Sequence, residues 1–216
     1  MFTRLSQSLF EASIRSAYSR RFREKGAQAE GVFWASRLTQ QARFEQVLQD
    51  MKSEQGSARF SLADVGCGYG ALFDYIRRTE AWRDIDYFGV DINKDMVGYC
   101  QREHAPHKHR FRTGRRPHSR VDFAVFVGTF NLCHTDDYAL WEDYILRQLA
   151  FSWEQVKTGM VLNITSQPEA RINNHIFYVQ SDAFADKLAA AFGPTAACPT
   201  RFVDQDVTYV IGKETS

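Results

Sequence analysis

Long hydrophobic runs are missing from this sequence. No stretch approaches the roughly 18 consecutive apolar residues that a membrane span needs, so a bilayer-spanning helix is excluded and no membrane partner is expected. The opening segment, MFTRLSQSLFEASIRSAYSRRFREK, has neither the unbroken apolar stretch nor the cleavage site of a secretory leader, and Glu11 and Glu24 argue against a transit peptide. Cysteine is scarce and dispersed. Cys67, Cys100, Cys133 and Cys198 form no CxxC pair, which reads as free thiols in a reducing cytoplasm. An excess of charge is absent too: 27 Lys and Arg stand against 26 Asp and Glu. That balance gives no global electrostatic case for a nucleic-acid or membrane-surface protein. No internal repeat and no low-complexity segment interrupts the chain. What is present, 44% hydrophobic and 25% charged residues over 216 positions, suits a soluble domain with a full core.

The periodicity predicts two helices, residues 4–24 and 36–53, before any strand. Phe44, Val47, Leu48 and Met51 fall at helical spacing in the second, and Ser36 suits its N-cap. From residue 58 strands and helices alternate. RFSLADV, IDYFGVDI, HRFRT, VDFAVFVGTF and GMVLNITS read as strands. ALFDYIRRTEAW, NKDMVGYCQREH with Asn93 as N-cap, a long helix opened by Thr135, and SDAFADKLAAAFG read as helices. Alternation implies a parallel sheet with helices on both faces. The last two strands, CPTRFV and VTYVIGK, are separated only by residues 204–206, enough for a hairpin and too short for a crossover, so the final strand is expected to be antiparallel.

The stretch LADVGCGYG, residues 62–70, ends the first strand with three glycines. Glycine there permits a sharp turn and lets a ligand approach the backbone closely. The next strand ends in Asp91, about 20 residues on, where a carboxylate accepts hydrogen bonds from ribose hydroxyls. A dinucleotide site has GxGxxG spacing and a helix N-terminus facing pyrophosphate. Here the spacing is GxGxG, preceded by Asp64, which repels phosphate and suits an ammonium. The pattern favours a nucleoside with a cationic tail.

LADVGCGYG followed by YFGVDIN resembles motifs I and II of the class I S-adenosylmethionine-dependent methyltransferases, and the resemblance covers about residues 58–213. The upstream stretch, with its Tyr, Gly-Val-x-Trp and Arg-Phe elements, is similar to the N-terminal cap of a bacterial subgroup of these enzymes. The resemblance implies a Rossmann-like α/β fold. Its seven-stranded sheet is mostly parallel with an antiparallel last strand, and helices flank both faces. It implies a helical cap over residues 1–57 and a cofactor-binding domain over 58–216. Gly66, Gly68 and Gly70 would admit the methionine part of S-adenosylmethionine, Asp64 would face its ammonium, Asp91 would hold the ribose, and Ile92 would lie against adenine. Many family members carry an acid after the third strand for the adenine amino group. This chain has RFRTGRRPHSR there, without one, leaving backbone groups as the expected adenine contact.

The fourth strand ends in GTFNLCH, which is expected to put Gly128, Thr129 and Asn131 beside the cofactor, Asn131 being the best polar candidate at the reacting end. His134 is a weaker candidate base, and Ser166 a candidate for the pocket rim. Tyr178 is a candidate wall and catalytic side chain, and Trp34 a candidate shield, because aromatic faces attract cations such as a sulfonium. The histidines of HAPHKH lack companion ligands for zinc, so no metal is expected. The basic run KHRFRTGRRPHSR reads as a solvated edge rather than a nucleic-acid track. Two reactions fit these features. One is methyl transfer to a small-molecule acceptor. The other is cyclisation of S-adenosylmethionine itself to azetidine-2-carboxylate and methylthioadenosine, as in a methyltransferase-like variant. A non-catalytic cofactor- or RNA-binding module is a remote third.

Overall fold

The computed structural model describes residues 4–55, 59–200 and 203–213. Two helices come first, α1 (Arg4–Lys25) and α2 (Arg37–Gln55), joined through a short 3-10 turn at Ala29–Val32. Then follow β1 (Ser61–Val65), α3 (Ala71–Arg78), β2 (Asp86–Asp91), α4 (Lys94–Glu103), β3 (Phe111–Thr113), β4 (Val121–Val127), α5 (Tyr138–Trp153) and β5 (Val156–Thr165). The chain continues through β6 (Arg171–Asn173), β7 (Ile176–Tyr178), α6 (Ser181–Phe192), β8 (Thr195–Pro199) and β9 (Asp206–Gly212).

Seven strands form one sheet in the order β3-β2-β1-β4-β5-β9-β8. The first five are mutually parallel, and β9 runs antiparallel to both β5 and β8. Apolar residues alternate to the two faces of β4 and build two cores. Phe123, Val125 and Val127 pack with α2, α3 and α4, while Ala124 and Phe126 pack with α5 and α6. The order places the C-terminal ends of β1, β2 and β4 together, and the strand order reverses there, which is where open α/β sheets bind ligands.

The two N-terminal helices pack differently. Val47, Leu48 and Met51 of α2 are fully buried in the same cluster as β1, β2 and β4, so α2 belongs to the core. By contrast α1 crosses the strand ends. Its Phe10 packs edge-on against Trp141 and Tyr144 of α5 at ring-centroid distances of 6.1 and 6.4 Å. Near its far end, Phe22 meets Tyr99 of α4. Residues 114–120 return from β3 to β4 without a helix, and α1 packs on this connection through Glu11 and Arg115.

Three details differ from the sequence expectation. The penultimate strand ends at Pro199 instead of continuing through CPTRFV, because the Thr200 side chain turns inward and joins a buried hydrogen-bonded cluster with Asn163 and Thr208. Residues 201–202 of that stretch lie outside the described residues. The long helix is capped by Asp137, whose carboxylate accepts from the Leu140 N–H at 3.0 Å, rather than by Thr135. A two-stranded ribbon, β6–β7, was not anticipated. Asn174 and His175 at its tip both adopt positive φ, 48° and 62°, the backbone of a two-residue hairpin turn that Asn-Gly usually signals.

Candidate functional site

A cavity opens at the C-terminal ends of β1, β2 and β4. Ile14, Arg15 and Tyr18 of α1 line it from one side, and Val32, Trp34, Gln40 and Phe44 from another. Its floor is the glycine turn after β1. Gly66, Gly68 and Gly70 have φ of 87°, 55° and 84°, the left-handed region that side chains disfavour. Each glycine does something different. A Cβ on Gly66 would lie 2.5 Å from the Thr129 methyl, so this glycine lets the β1 and β4 ends touch. A Cβ on Gly68 would meet only Val32, at 3.6 Å, so its Cα borders open space. Gly70 does not line the cavity; its Cα faces Cys100, His104 and Phe111, where a Cβ would crowd the helix–sheet contact.

Asp91 ties this turn to the start of α4. One carboxylate oxygen accepts from the Gly68 N–H at 2.9 Å, and the other from the Asn93 N–H at 2.7 Å. Burial raises the Asp91 pKa, and these two backbone bonds pull it back down. Asn93 in turn caps α4, accepting from Asp95 and Met96, and its amide donates to Ser19 of α1. Asp64, also buried, accepts from the Tyr87 hydroxyl at 2.7 Å. Burial pushes its pKa up to about 7; the Tyr87 bond opposes this, and the nearby Asp91 charge adds to it.

Of the residues singled out from sequence, Asp64, Gly66, Gly68, Asp91, Ile92, Gly128, Thr129 and Trp34 line this one cavity. The Thr129 hydroxyl is not free for a ligand's first claim, since it donates to the Val65 carbonyl at 2.9 Å. Gly128, at φ 66°, leaves room for the Trp34 ring, 2.7 Å from where a Cβ would sit. The Arg43 guanidinium lies 4.6 Å over that ring and also pairs with Asp206, so the indole already has a resident cation.

Asn131 and Tyr178 are not among the cavity-lining residues. The Asn131 carboxamide oxygen accepts from the Thr165 N–H at 3.2 Å, and its backbone carbonyl accepts from Phe177 at 2.9 Å. It stitches the ends of β4 and β5 to the ribbon. Tyr178 sits on that ribbon opposite Arg171. His134 is held against Ser13 of α1 at 3.0 Å, outside the cavity. Ser166 lines a separate hollow with Gln180 and Asp206.

Several cavity residues escaped the sequence reading. Tyr18 lines the cavity half-buried, with its pKa raised by desolvation and then by the Asp91 charge. Gln40 accepts from the Tyr69 hydroxyl at 2.9 Å, and both line the cavity. Outside the cavity lining, Glu11, fully buried, receives the Arg115 guanidinium through Nε at 2.8 Å and through Nη2, with Arg15 at 3.8 Å. No local pattern signals this cluster, because Glu11 and Arg115 are 104 positions apart. It also disposes of part of the basic run: Arg110 pairs with Asp86, Arg115 with Glu11, and Arg116 with Glu154. Among the described residues no group of three His, Cys, Asp or Glu is arranged to hold a metal ion, and no helix is long and apolar enough to cross a membrane.

The sheet order, the antiparallel β9 and the flanking helices define the class I S-adenosylmethionine-dependent methyltransferase fold. In particular, the chain is similar to magnesium protoporphyrin IX methyltransferase from Synechocystis PCC 6803, solved with bound SAH. The TM-score is 0.64 at 11% identity, covering 96% of this chain and all of that one. It is similar also to CalS10, an amino pentose methyltransferase from Micromonospora echinaspora solved with SAM bound, with a TM-score of 0.57 at 13% identity over 92% of this chain and 97% of that one. In sequence it is 27% identical over 141 residues to a protein of Mycobacterium tuberculosis described as a "putative methyltransferase", spanning 64% of this chain and 84% of that protein. No protein-family model matches the chain.

Proposed function

We propose that this chain binds S-adenosylmethionine in the cavity at the ends of β1, β2 and β4 and transfers its methyl group to a small-molecule acceptor. The observation that carries the reading is the Asp91–Gly68 pair. A buried carboxylate stands at the end of β2, bonded to the backbone of a glycine turn whose second glycine opens onto free space. Each Asp91 oxygen accepts one backbone N–H and keeps capacity to accept a ribose hydroxyl. The bare backbone at Gly68 borders open space, while Gly66 and Gly128 let Thr129 and Trp34 pack close beside it, and this suits the methionine part. Asp64 beside it suits an ammonium, because a cation in that pocket relieves the cost of a buried carboxylate.

Bound there, S-adenosylmethionine supplies an electrophilic methyl group on a positively charged sulfur. The chain's contribution is positioning and exclusion of water. Asp91 fixes the nucleoside end, and the glycine turn receives the methionine part. Val32, Trp34, Gln40, Phe44 and Tyr69 wall the other end, with the Gln40–Tyr69 hydrogen bond orienting two polar groups toward the cavity. α1 and the 3-10 turn after it serve as the lid. Besides the ring contacts of Phe10 and Phe22, α1 is attached by specific polar bonds: Ser19 to Asp95 at 2.8 Å, the Asn93 amide to Ser19 at 3.0 Å, and Glu11 to Arg115. A roof held this closely favours a small acceptor over a macromolecule.

Product analysis tests the reaction. With S-adenosylmethionine and a panel of small acceptors, the expected product is S-adenosylhomocysteine, formed only when an accepted acceptor is present. Methylthioadenosine with a cyclic amino acid, formed from S-adenosylmethionine alone, would overturn methyl transfer and establish the cyclisation instead.

A further inference from the structure

The acid that reads adenine after β3 in many related enzymes is missing here, yet the cavity contains another group suited to the task. We infer that Gln148 of α5 reads the 6-amino edge of the adenine ring, a step that rests on the cofactor reading above. Gln148 is 5% exposed and lines the cavity. No hydrogen bond to its carboxamide is found among the described residues, although buried amides normally have partners. An amide without a partner among the described residues yet open to a cavity is complementary to a ligand that brings its own donor and acceptor.

The position fits the base end of the ligand. Asp91 anchors the ribose at the end of β2, and the glycine turn takes the methionine part toward β4. The base therefore lies on the β2–β3 side, where Ile92, Gly114 and Arg115 line the cavity. The half of α5 that bears Gln148 is fastened to that same segment. Arg116 lies 5.3 Å over the Phe151 ring and pairs with Glu154 at 2.7 Å. Trp141, Tyr144 and Gln148 occupy one face of α5 at i, i+3 and i+7, and all three line the cavity.

Three other polar groups at this end are engaged. Arg115 is bound to Glu11, Asn93 caps α4 and donates to α1, and the Gly114 N–H donates to the Asp91 carbonyl at 2.9 Å. Adenine presents an amino donor beside a ring-nitrogen acceptor, and a carboxamide offers the matching acceptor and donor together. Arg115, a donor only, cannot accept from the 6-amino group. Gln148 can.

The test is a thermodynamic cycle between side chain and base. S-adenosylhomocysteine and its purine analogue, in which hydrogen replaces the 6-amino group, are titrated calorimetrically into the full chain and into Gln148→Met. Deleting the amino group is expected to weaken binding to the unaltered protein about tenfold, the worth of one hydrogen bond. The same deletion in Gln148→Met is expected to change affinity less than twofold. Gln148→Leu, also apolar and of different shape, gives the same comparison should the methionine variant fail to fold. An undiminished tenfold effect in the folded variant overturns the assignment of Gln148 alone. No binding of S-adenosylhomocysteine by the unaltered protein overturns the cofactor reading, and this inference with it.

Discussion

The Gly68 N–H donates to the Asp91 carboxylate at 2.9 Å, locking the glycine turn after β1 to the end of β2. The same carboxylate receives the Asn93 N–H, so one side chain sets the turn, the start of α4 and the floor of the cavity before any ligand arrives. Preorganisation of this kind lowers the ordering cost of binding.

Asp64 is expected to make S-adenosylmethionine binding pH-dependent. Its pKa stands at about 7, above the ordinary carboxylate value, because of burial. In the free protein this raised value means that stability falls as pH rises from about 4 through 7, since the unfolded chain gives up that proton more readily. A bound ammonium favours the ionised form, so affinity for S-adenosylmethionine rises with pH. The gain between about pH 6 and pH 7.5 is expected to be several-fold, as Asp64 ionises before the ligand's own amine loses its proton. Titrations across that range check this, and Asp64→Asn should flatten the dependence. Tyr87→Phe removes the one hydrogen bond that lowers the Asp64 pKa, so the midpoint should move to higher pH.

Gly66 and Gly68 separate packing from binding. In Gly66→Ala the new methyl meets the Thr129 side chain, and φ stays at 87°. Thermal unfolding should show a loss of about 1–3 kcal/mol. In Gly68→Ala the methyl has room beside Val32, so strain at φ 55° costs about 1 kcal/mol while the ligand's path is blocked. The expected outcome is a folded protein with strongly reduced affinity. Normal affinity in Gly68→Ala would show that this glycine serves only the turn.

The Glu11–Arg115 pair holds the roof. Glu11 is fully buried, and Glu11→Ala removes two charge-assisted hydrogen bonds from Arg115, which is half exposed and can rehydrate. A stability loss of about 2 kcal/mol is expected. Hydrogen exchange should quicken in α1 and leave β1, β4 and β5 protected. Uniform quickening across the sheet would mean that α1 is part of the core rather than a lid.

Much of the sheet was legible in the chain. The run VDFAVFV, apolar on both faces, reads as a strand and forms the interior parallel strand β4, and Asn93 announced the start of α4 by capping it. Asp64, Gly66, Gly68 and Asp91 were legible because the turn and the two strand ends carry their chemistry within thirty positions. Glu11, Tyr18 and Gln148 were not. Each lies on a helix where a lone polar or aromatic residue is ordinary, and each acquires meaning only from residues far along the chain, such as Arg115 and Asp91. Asn131 lies outside the cavity lining. It follows Gly128 and Thr129 closely, yet the ribbon formed by β6 and β7, invisible without an Asn-Gly turn, turns its carboxamide to Thr165.

Calorimetric titration of S-adenosylmethionine into the full chain and into Asp91→Ala, with melting curves to verify folding, tests the central claim most directly. One molecule should bind per chain. The variant should bind about a hundredfold more weakly or worse, because two hydrogen bonds to a charged acceptor and the anchored glycine turn are lost together. Absence of binding to the unaltered protein, or equal affinity in a folded Asp91→Ala, would contradict the account.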